Sequence, residues 1–289
     1  MKLVDARVLL TGATGGIGKA TAAKLVNEGA SVMLVGRSRE QLSAQTRLLI
    51  KTGAPKREAQ VTWYPADLTI NEDIASLAEV AAEWGCNVVV HGAGIPGFGR
   101  LATFEPNAMA EVLHTNLLAP VLLTQAMLPY LCELPKARIL FVGSVLGRLG
   151  LPGFSVYSAS KFGLRGFAES LRRELGDTAV GVQYLGPRST RTDFNSQEAE
   201  RFNEATGTRS DEPKVVAEAL LALLESGAAE KFIGVAEAIA VRLNGLAPTW
   251  LDGSFAKHRA SLAGTPSHSA EIEDTEFEAV RNSLIKGDR

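Results

Sequence analysis

Short apolar runs rich in β-branched residues alternate along the chain with longer segments in which apolar positions recur every three to four residues. A strand followed by a helix, repeated six times, predicts a parallel sheet covered by helices on both faces, which is a doubly wound α/β fold. The predicted strands are Arg7–Thr11, Ser31–Val35, Gln60–Tyr64, Asn87–His91, Arg138–Val142 and Val180–Tyr184, with a short seventh at Lys231–Val235.

The segments between the strands predict amphipathic helices, with Ser38, Asn71 and Asp211 as polar residues near three of their starts. These helices are expected at Ile17–Glu28, Ser38–Thr52, Asn71–Glu83, Asn107–Leu131, Tyr157–Leu175 and Pro213–Ser226, with a further apolar one at Glu237–Leu246.

No repeat or linker interrupts residues 1–247, so we expect one domain there, with about seven strands. Residues 187–212 are polar and contain no strand pattern. Ligands bind at the carboxyl ends of parallel strands, so this segment is expected to be a substrate loop, the alternative being a mobile surface loop. Residues 248–289 form a C-terminal extension, and its polar, acidic part from about Gly264 is expected to be disordered.

Composition narrows the class of protein. The chain is 46% hydrophobic and 21% charged with a net charge of −2, so it lacks the basic field that binds nucleic acid. Cys86 and Cys132 lack metal-ligand spacing, are interpreted as small buried residues, and predict no metal site. Met1–Leu10 is too short for a signal peptide, which predicts a cytoplasmic protein, and polar residues within Val112–Leu134 favour a buried helix over a membrane span.

A glycine-rich turn follows the first predicted strand and opens a helix. Glycines allow the backbone to turn tightly and to approach a pyrophosphate, while the helix N-terminus offers free N–H groups and partial positive charge. The turn therefore predicts an anionic nucleotide ligand, although a purely structural turn is the alternative. The residues expected to contact it are Gly12, Thr14, Gly15, Gly16, Ile17 and Gly18.

The run Thr11-Gly12-Ala13-Thr14-Gly15-Gly16-Ile17-Gly18 resembles the nucleotide motif of the short-chain dehydrogenase/reductase superfamily, which implies a Rossmann-type fold and a nicotinamide cofactor. At the end of the second strand an NAD-preferring enzyme would offer an acidic residue to the ribose hydroxyl, and Gly36 stands there instead. Arg37 is suited to pair with a 2′-phosphate and Ser38 to donate a hydrogen bond, so NADP(H) is predicted over NAD(H).

Two further segments match the family pattern around the adenosine. The resemblance implies that Asp67 and Leu68 contact the adenine, although Asp67 is also a plausible helix cap. After the fourth strand His91-Gly92-Ala93-Gly94 keeps only the Ala93-Gly94 half of the family's Asn-Asn-Ala-Gly, and these two residues are expected beside the ribose. His91 is interpreted as structural.

The strongest signal lies after the fifth strand, which ends at Ser144. Thirteen residues later come Tyr157 and Lys161, whose i, i+4 spacing places both on one helix face. An ammonium about 4 Å from a phenol at an effective dielectric near 20 contributes roughly 4 kcal/mol, enough to bring the tyrosine pKa toward neutrality together with an oxidised nicotinamide. Tyr157 is predicted to be the acid/base, with Ser144 bonding the same substrate oxygen.

The resemblance implies two more roles. Asn116 matches the family's helix asparagine, which holds a water in a proton relay with the lysine, and it is predicted as a catalytic residue. After the sixth strand the family pattern Pro-Gly-x-x-x-Thr is matched by Pro187 and Thr192, both expected at the cofactor, while Arg188 replaces the glycine. Arg188 is open to three interpretations: a phosphate contact, a contact for an acidic substrate, or a solvated charge.

These residues together predict an NADP(H)-dependent oxidoreductase that transfers hydride between nicotinamide and a carbonyl or secondary alcohol. Apolar residues expected near the pocket favour an apolar or lipid-like substrate; they are Phe98, Leu101, Leu146, Leu149, Leu151, Phe154 and Phe194. The alternatives are a non-catalytic NADPH-binding sensor and an NADP-dependent epimerase or dehydratase. A homodimer or homotetramer is expected through the long apolar helices, and peripheral membrane association through Ile239–Leu246 and Trp250 is a lesser alternative.

Overall fold

A computed structural model describes residues 1–52 and 60–263 of the chain. Seven strands form one sheet in the order β3-β2-β1-β4-β5-β6-β7, and every neighbouring pair is parallel. The strands are β1 (Arg7–Thr11), β2 (Ser31–Gly36), β3 (Val61–Pro65), β4 (Val88–His91), β5 (Ala137–Val142), β6 (Val180–Gly186) and β7 (Glu230–Phe232). The predicted fold class is confirmed, and the strand order reverses between β1 and β4, where such sheets bind ligands.

Ten helices connect or follow the strands in the described part of the chain. They are α1 (Gly16–Asn27), α2 (Arg39–Thr52), α3 (Asn71–Glu83), α4 (Pro106–Leu113), α5 (Ala119–Cys132), α6 (Ser155–Glu174), α7 (Gln197–Thr206), α8 (Pro213–Ser226), α9 (Val235–Leu246) and α10 (Ala256–Ala263). Helices α1, α2 and α8 cover one face of the sheet, and α3, α5 and α6 cover the other.

The sequences of the inner strands are continuous apolar runs because both faces of the sheet are buried. Val8 and Leu10 of β1 pack in the core under α1 and α8, whereas Leu9 between them packs in the opposite core. Successive side chains of a strand point to opposite faces, so each run supplies both cores at once.

The helix predicted over Asn107–Leu131 is interrupted in the structure. Between α4 and α5 lies a turn of π-helix at His114–Leu118, closed by a bond from the Ala119 N–H to the His114 carbonyl. Pro120 has no N–H to bond the carbonyl four residues earlier, which favours this wider turn. The whole stretch Pro106–Cys132 is long and apolar enough to cross a bilayer by length and composition, and 39% of its most apolar window is buried.

The polar segment 187–212 contains a helix that the sequence interpretation as a loop did not anticipate. Helix α7 begins after Ser196, whose Oγ accepts a hydrogen bond from the Ala199 N–H at 3.2 Å, and it ends at Gly207 with φ of 74°. An isolated bridge between Thr190 and Asp211 closes the base of the segment. Ser196 and Gly207 are common residues at the start and end of a helix, so the sequence does contain capping signals for α7, although the helix between them is short.

The described part of the C-terminal extension is helical. A 3₁₀ segment at Pro248–Phe255 and helix α10 follow α9, and α10 packs against α7. The polar tail expected to be disordered from about Gly264 lies outside the described residues, and the domain boundary at 247 stays a prediction. The expectation that both cysteines are buried was wrong for Cys132, because it is exposed at the end of α5.

Candidate active site

The turn after β1 is pressed against the turn after β4 at the switch point of the sheet. Gly12 has φ of 66°, and a Cβ on it would lie 2.6 Å from the Gly92 carbonyl oxygen. The Thr11 hydroxyl accepts hydrogen bonds from the N–H groups of Gly92 and Ala93 at 3.1 and 3.2 Å. Only a residue without a side chain fits at Gly12.

Helix α1 begins directly at this turn. Its N-cap is Gly15, which has no side chain to bond the first N–H groups of the helix. At Gly18 a Cβ would lie 2.8 Å from the Ala13 Cα, so the helix start packs tightly on the turn. This bare helix N-terminus in a cradle that a Cβ would fill suits the pyrophosphate of a dinucleotide.

The predicted ribose and adenine contacts lie at the ends of β2 and β3. Arg37 is exposed, and Ser38 caps α2 by accepting from the Gln41 N–H at 3.2 Å. Asp67 accepts from the N–H and hydroxyl of Thr69 at 3.0 and 2.7 Å, and these bonds, with Arg37 nearby, hold the pKa of the Asp67 carboxyl below its usual range. The alternative role of Asp67 as a cap of α3 was wrong, because Ile70 is the N-cap and Asp67 bonds Thr69 instead.

Residue His91 at the end of β4 belongs to the core. Its ring stacks on Phe141 with centroids 4.7 Å apart, and its Nε2 lies 2.9 Å from the Thr124 hydroxyl. Burial lowers the pKa of His91 to about 3, so the imidazole is neutral. These contacts agree with the interpretation of His91 as a structural residue.

The π turn aims Asn116 at the loop after β4. The side chain of Asn116 is fully buried and bonds both the N–H and the carbonyl of Ile95, at 2.8 and 2.9 Å. A Cβ on Gly94 would lie 3.1 Å from Asn116 Oδ1 and 3.7 Å from Lys161 Nζ. Gly94 therefore lies between the side chains of two predicted catalytic residues. A π turn that carries such a residue is common at functional sites.

The three central residues of the sequence prediction lie together in the structure. The Tyr157 hydroxyl hydrogen-bonds the Ser144 side chain, and Ser144 Oγ also accepts from the Leu146 N–H at 3.0 Å. The Lys161 Nζ lies 5.7 Å from the Tyr157 ring centroid and donates to the Val142 carbonyl at 3.3 Å. Ser144 and Lys161 are buried, so this cluster of polar groups is largely withdrawn from water.

Burial sets the protonation states of this cluster. It raises the pKa of Tyr157 to about 12, against the opposing hydrogen bond from Ser144, and lowers the pKa of Lys161 to about 8. The lowering of the tyrosine pKa expected from Lys161 together with an oxidised nicotinamide stays a prediction, and in the protein alone desolvation of the phenolate outweighs the hydrogen bond from Ser144. The tyrosine is a protonated phenol at neutral pH.

Sequence reasoning missed Tyr184, which holds the backbone of Ser144. The buried Tyr184 hydroxyl donates to the Ser144 carbonyl at 3.0 Å and accepts from the Ser144 N–H at 3.1 Å. Its ring lies against Gly143 and Gly147, where a Cβ would collide with it. The only sequence signal was a tyrosine within an apolar strand, which does not reveal a partner 40 residues away.

The segment after β6 passes over the glycine turn. A Cβ on Gly16 would lie 2.7 Å from Thr192 Cβ, and the Phe194 ring stands edge-on to Tyr157 with centroids 6.1 Å apart. The Pro187 carbonyl accepts from the Val145 N–H at 2.9 Å. The segment thus brings Thr192 to the glycine turn and the Phe194 ring to Tyr157.

Arg188, whose role the sequence left open, is an anchor of this segment. Its Nε and Nη2 bond the two carboxylate oxygens of Asp211 at 2.9 and 2.7 Å, and its Nη1 bonds Glu237 at 3.0 Å. The carboxylates, Asp211 first, raise the pKa of Arg188. All three guanidinium nitrogens are occupied, so Arg188 joins both ends of the segment to α9.

Apolar side chains enclose the space beside Tyr157. The Phe98 ring lies 4.9 Å from Phe154 and 5.1 Å from Phe202, while Phe154 lies 6.4 Å from Tyr157. Leu146 is buried in the same cluster, and Leu149 and Leu151 pack against it. Of the residues predicted to line the pocket, Leu101 is 57% exposed and lies outside the cluster.

Comparison with known proteins agrees with this geometry. Residues 6–202 match the model of the short chain dehydrogenase family, and the chain belongs to that family. A ketoacyl reductase, HetN, of Nostoc sp. (strain PCC 7120) is 34% identical over 187 residues, which cover 64% of this chain and 63% of the relative. The chain therefore matches somewhat less than two thirds of that relative's length.

Solved structures give the same result. A variant of the actinorhodin polyketide ketoreductase with NADPH superposes with a TM-score of 0.70 at 27% identity, covering 81% of this chain and 97% of that one. A short chain dehydrogenase/reductase from Burkholderia phymatum in complex with NAD has a TM-score of 0.77 at 21% identity, covering 86% and 96%, and shares the fold. The chain is thus a member of the short chain dehydrogenase family and shares the Rossmann-type fold of these structures.

Proposed function

We propose that the protein is an NADP(H)-dependent reductase of apolar carbonyl compounds, with Tyr157 as the proton donor. The observation that carries the proposal is the cluster of buried Ser144 and Lys161 with half-buried Tyr157 beside Gly94, at the same sheet edge as the glycine turn. Polar groups brought together and withdrawn from water at a switch point are characteristic of an active site.

The residues around the turn fit a dinucleotide and favour the phosphorylated form. The N-terminus of α1 would hold the pyrophosphate, and Asp67, Leu68 and Ala93 would hold the adenosine. At the end of β2, Gly36 offers no carboxylate to a ribose hydroxyl, while the exposed Arg37 is suited to a 2′-phosphate. Pro187 and Thr192 would contact the nicotinamide end, and the bound cofactor would supply the hydride.

The protonation states suit reduction. With a pKa near 12 the Tyr157 phenol carries its proton at neutral pH and would give it to the carbonyl oxygen as the carbon accepts hydride. With a pKa near 8 Lys161 is mainly an ammonium at pH 7, and its charge would stabilise the resulting phenolate. Ser144 would hydrogen-bond the same oxygen, and Asn116 would support return of a proton through Lys161.

The enclosure of Tyr157 supports an apolar substrate. Phe154 and Phe194 both stand edge-on to the tyrosine ring, and Phe98, Phe202 and Leu146 extend the apolar wall. Such walls favour an alkyl or aryl group attached to the carbonyl. The ketoacyl reductase among the relatives is consistent with this class of substrate.

The test is oxidation of NADPH or NADH, followed at the reduced-nicotinamide absorbance, with a panel of aldehydes and ketones that includes long-chain ones. We expect turnover with NADPH, less with NADH, and at least a hundredfold loss in Tyr157→Phe. Tyr130→Phe, on a half-buried tyrosine of α5, is the matched control and should keep full activity. NADPH binding without turnover on any carbonyl would count against the reductase and favour a sensor.

The two features that suggested a sensor now have structural roles. His91 is a neutral core residue and Arg188 is an anchor of the segment after β6. We therefore do not propose a sensor as a second function.

A further inference from the structure

Five large apolar side chains lie exposed along one face of α9 and the turn that follows it. They are Val235, Ile239, Leu243, Leu246 and Trp250, which are 81, 54, 46, 84 and 81% exposed, and we call them the α9 stripe. Their spacing of four, four, three and four residues places the four in α9 on one side of the helix. A contiguous exposed apolar row of this kind indicates a binding surface.

The opposite side of α9 is fixed to the body of the protein. Val241 is 2% exposed and packs in the cluster that contains Phe154, and Glu237 bonds Arg188 at 3.0 Å. The Asn244 side chain donates to the Arg148 carbonyl at 2.7 Å. The α9 stripe is therefore held outward by packing and polar bonds on the inner face.

The segment of the chain that carries the α9 stripe has more basic than acidic residues. Over residues 231–263 the basic residues number four and the acidic residues two, although the whole chain has a net charge of −2. One of the two acids, Glu237, is paired with Arg188, which leaves Asp252 as the exposed carboxylate of this part of the described chain. The exposed cations are Lys231, Arg242, Lys257 and Arg259.

We propose that the α9 stripe docks in the plane of a membrane that contains anionic lipids. Apolar side chains on one face, a tryptophan after the end and an exposed arginine, Arg242, on the same helix are features of a helix that lies in a lipid interface. Anionic headgroups complement the basic charge of this segment. A stable protein partner would need about 20–30 residues on each side, far more than this single row.

The docking surface adjoins the site already described. Ala236, Ala240 and Val241 on the inner side of α9 line a cavity of about 210 Å³ together with Val145 and Leu149, which follow Ser144 in sequence. If the proposed function holds, an apolar carbonyl compound dissolved in the membrane would enter beside α9. The docking itself does not depend on catalysis and is tested without substrate.

The first experiment uses the fluorescence of Trp250 in the full-length protein. Vesicles of phosphatidylcholine with 30% phosphatidylglycerol should shift its emission to the blue, and vesicles of phosphatidylcholine alone should shift it less. Trp63 and Trp84 are half-buried in the body of the protein, so Trp250→Phe should abolish the shift. An emission spectrum unchanged by anionic vesicles would overturn the proposal.

The second experiment measures vesicle flotation with paired variants. Ile239→Ser with Leu243→Ser should weaken binding at least tenfold, and Arg242→Gln should weaken it severalfold and reduce its salt dependence. The matched control is Leu48→Ser with Ile50→Ser on α2, since these side chains are 58 and 63% exposed and lie outside the stripe. It should bind as the wild type does, with circular dichroism and NADPH affinity unchanged in all variants.

Two results of this comparison would contradict membrane docking. Equal flotation of the α9 and α2 variants would show that the stripe is not the docking surface. Loss of self-association in the α9 variant, measured by light scattering without vesicles, would instead identify a second copy of the chain as the occupant.

Discussion

The side-chain amine of Lys161 is buried, and its pKa lies close to neutral pH. Burial lowers its pKa to about 8, and its Nζ has the Val142 carbonyl as a hydrogen-bond acceptor at 3.3 Å. Because the unfolded chain keeps a lysine pKa near 10.4, it binds more protons than the folded protein between about pH 8 and 10. This residue's contribution to the free energy of unfolding therefore rises with pH across that window.

The same titration predicts the pH dependence of activity. We expect kcat/KM for carbonyl reduction to fall as pH rises through about 8, since Lys161 then loses the charge that stabilises the Tyr157 phenolate. In Lys161→Arg the guanidinium keeps its charge, and the fall should move to higher pH even if the maximum rate drops. A fall at the same pH in both proteins would assign it to another group.

Alanine substitutions at Gly12 and Gly207 distinguish the cost of backbone strain from the cost of close packing. Both have positive φ, of 66° and 74°, but a Cβ on Gly12 would meet Gly92 at 2.6 Å while a Cβ on Gly207 would meet nothing within 4 Å. Gly207→Ala should cost about 1 kcal/mol of unfolding free energy and leave NADPH binding intact. Gly12→Ala should cost clearly more and abolish binding, measured by denaturation and fluorescence titration.

Equal losses in the two alanine variants would contradict the packing argument. The comparison is informative because the conformational strain is similar at both sites, so the difference isolates the contact between the turns after β1 and β4.

At the scale of elements, Arg188 ties the segment after β6 to α9. Its side chain is 20% exposed and bonds Asp211 and Glu237, which are 10 and 25% exposed. Arg188→Met leaves two partly buried carboxylates without their cation, so we expect a loss of about 2–4 kcal/mol in stability. The displaced Thr192 should also lower kcat, by roughly tenfold.

The matched control for this prediction is Arg191→Met. Arg191 pairs with Glu212 at 2.6 Å, but the two side chains are 63 and 58% exposed, and exposed pairs contribute little. Its melting temperature and kcat should stay near those of the wild type. If both variants behaved alike, Arg188 would not be an anchor.

Prediction at this scale succeeded for elements with long, regular patterns. Helices α3 and α8 have the predicted bounds, and all six main strands begin within one residue of the prediction, with β1, β2 and β6 beginning at it. Helix α7 is short and polar, so its apolar periodicity was weak. The π turn depends on Pro120 and on the hydrogen bonds between Asn116 and the Ile95 backbone. Such local irregularities are decided by partners outside the element.

For the whole molecule, exposed apolar side chains on the surface formed by α4, the π turn and α6 are the expected contact of the predicted oligomer. Leu113, Leu118 and Phe162 are 40, 43 and 42% exposed, and α6 packs against both α4 and the π turn. We expect a homodimer or homotetramer by light scattering, and Phe162→Glu should lower the mass toward that of one chain. Leu48→Glu on α2 is the control, and an unchanged mass in Phe162→Glu would exclude this surface.

Local pattern and short spacing by themselves determined the order of elements, the parallel sheet, the glycine turn and the Tyr157/Lys161 pair. Period-two and helical periodicities, and an i, i+4 separation, act within a few residues and need no knowledge of the fold. The place of Ser144 at the end of a strand added it to the same site, and family resemblance added Asn116; the structure brings Ser144 to Tyr157 and Asn116 to the loop after β4.

Only the tertiary structure decided how these groups are surrounded. Tyr184 reaches Ser144 across 40 residues, and Arg188 reaches Asp211 and Glu237 across 23 and 49. The pKa values of Tyr157 and Lys161 moved by burial, and the α9 stripe is recognised only once the other face of α9 is seen to be packed. Burial and contacts between distant residues depend on how the whole chain packs, and local sequence carries no direct record of them.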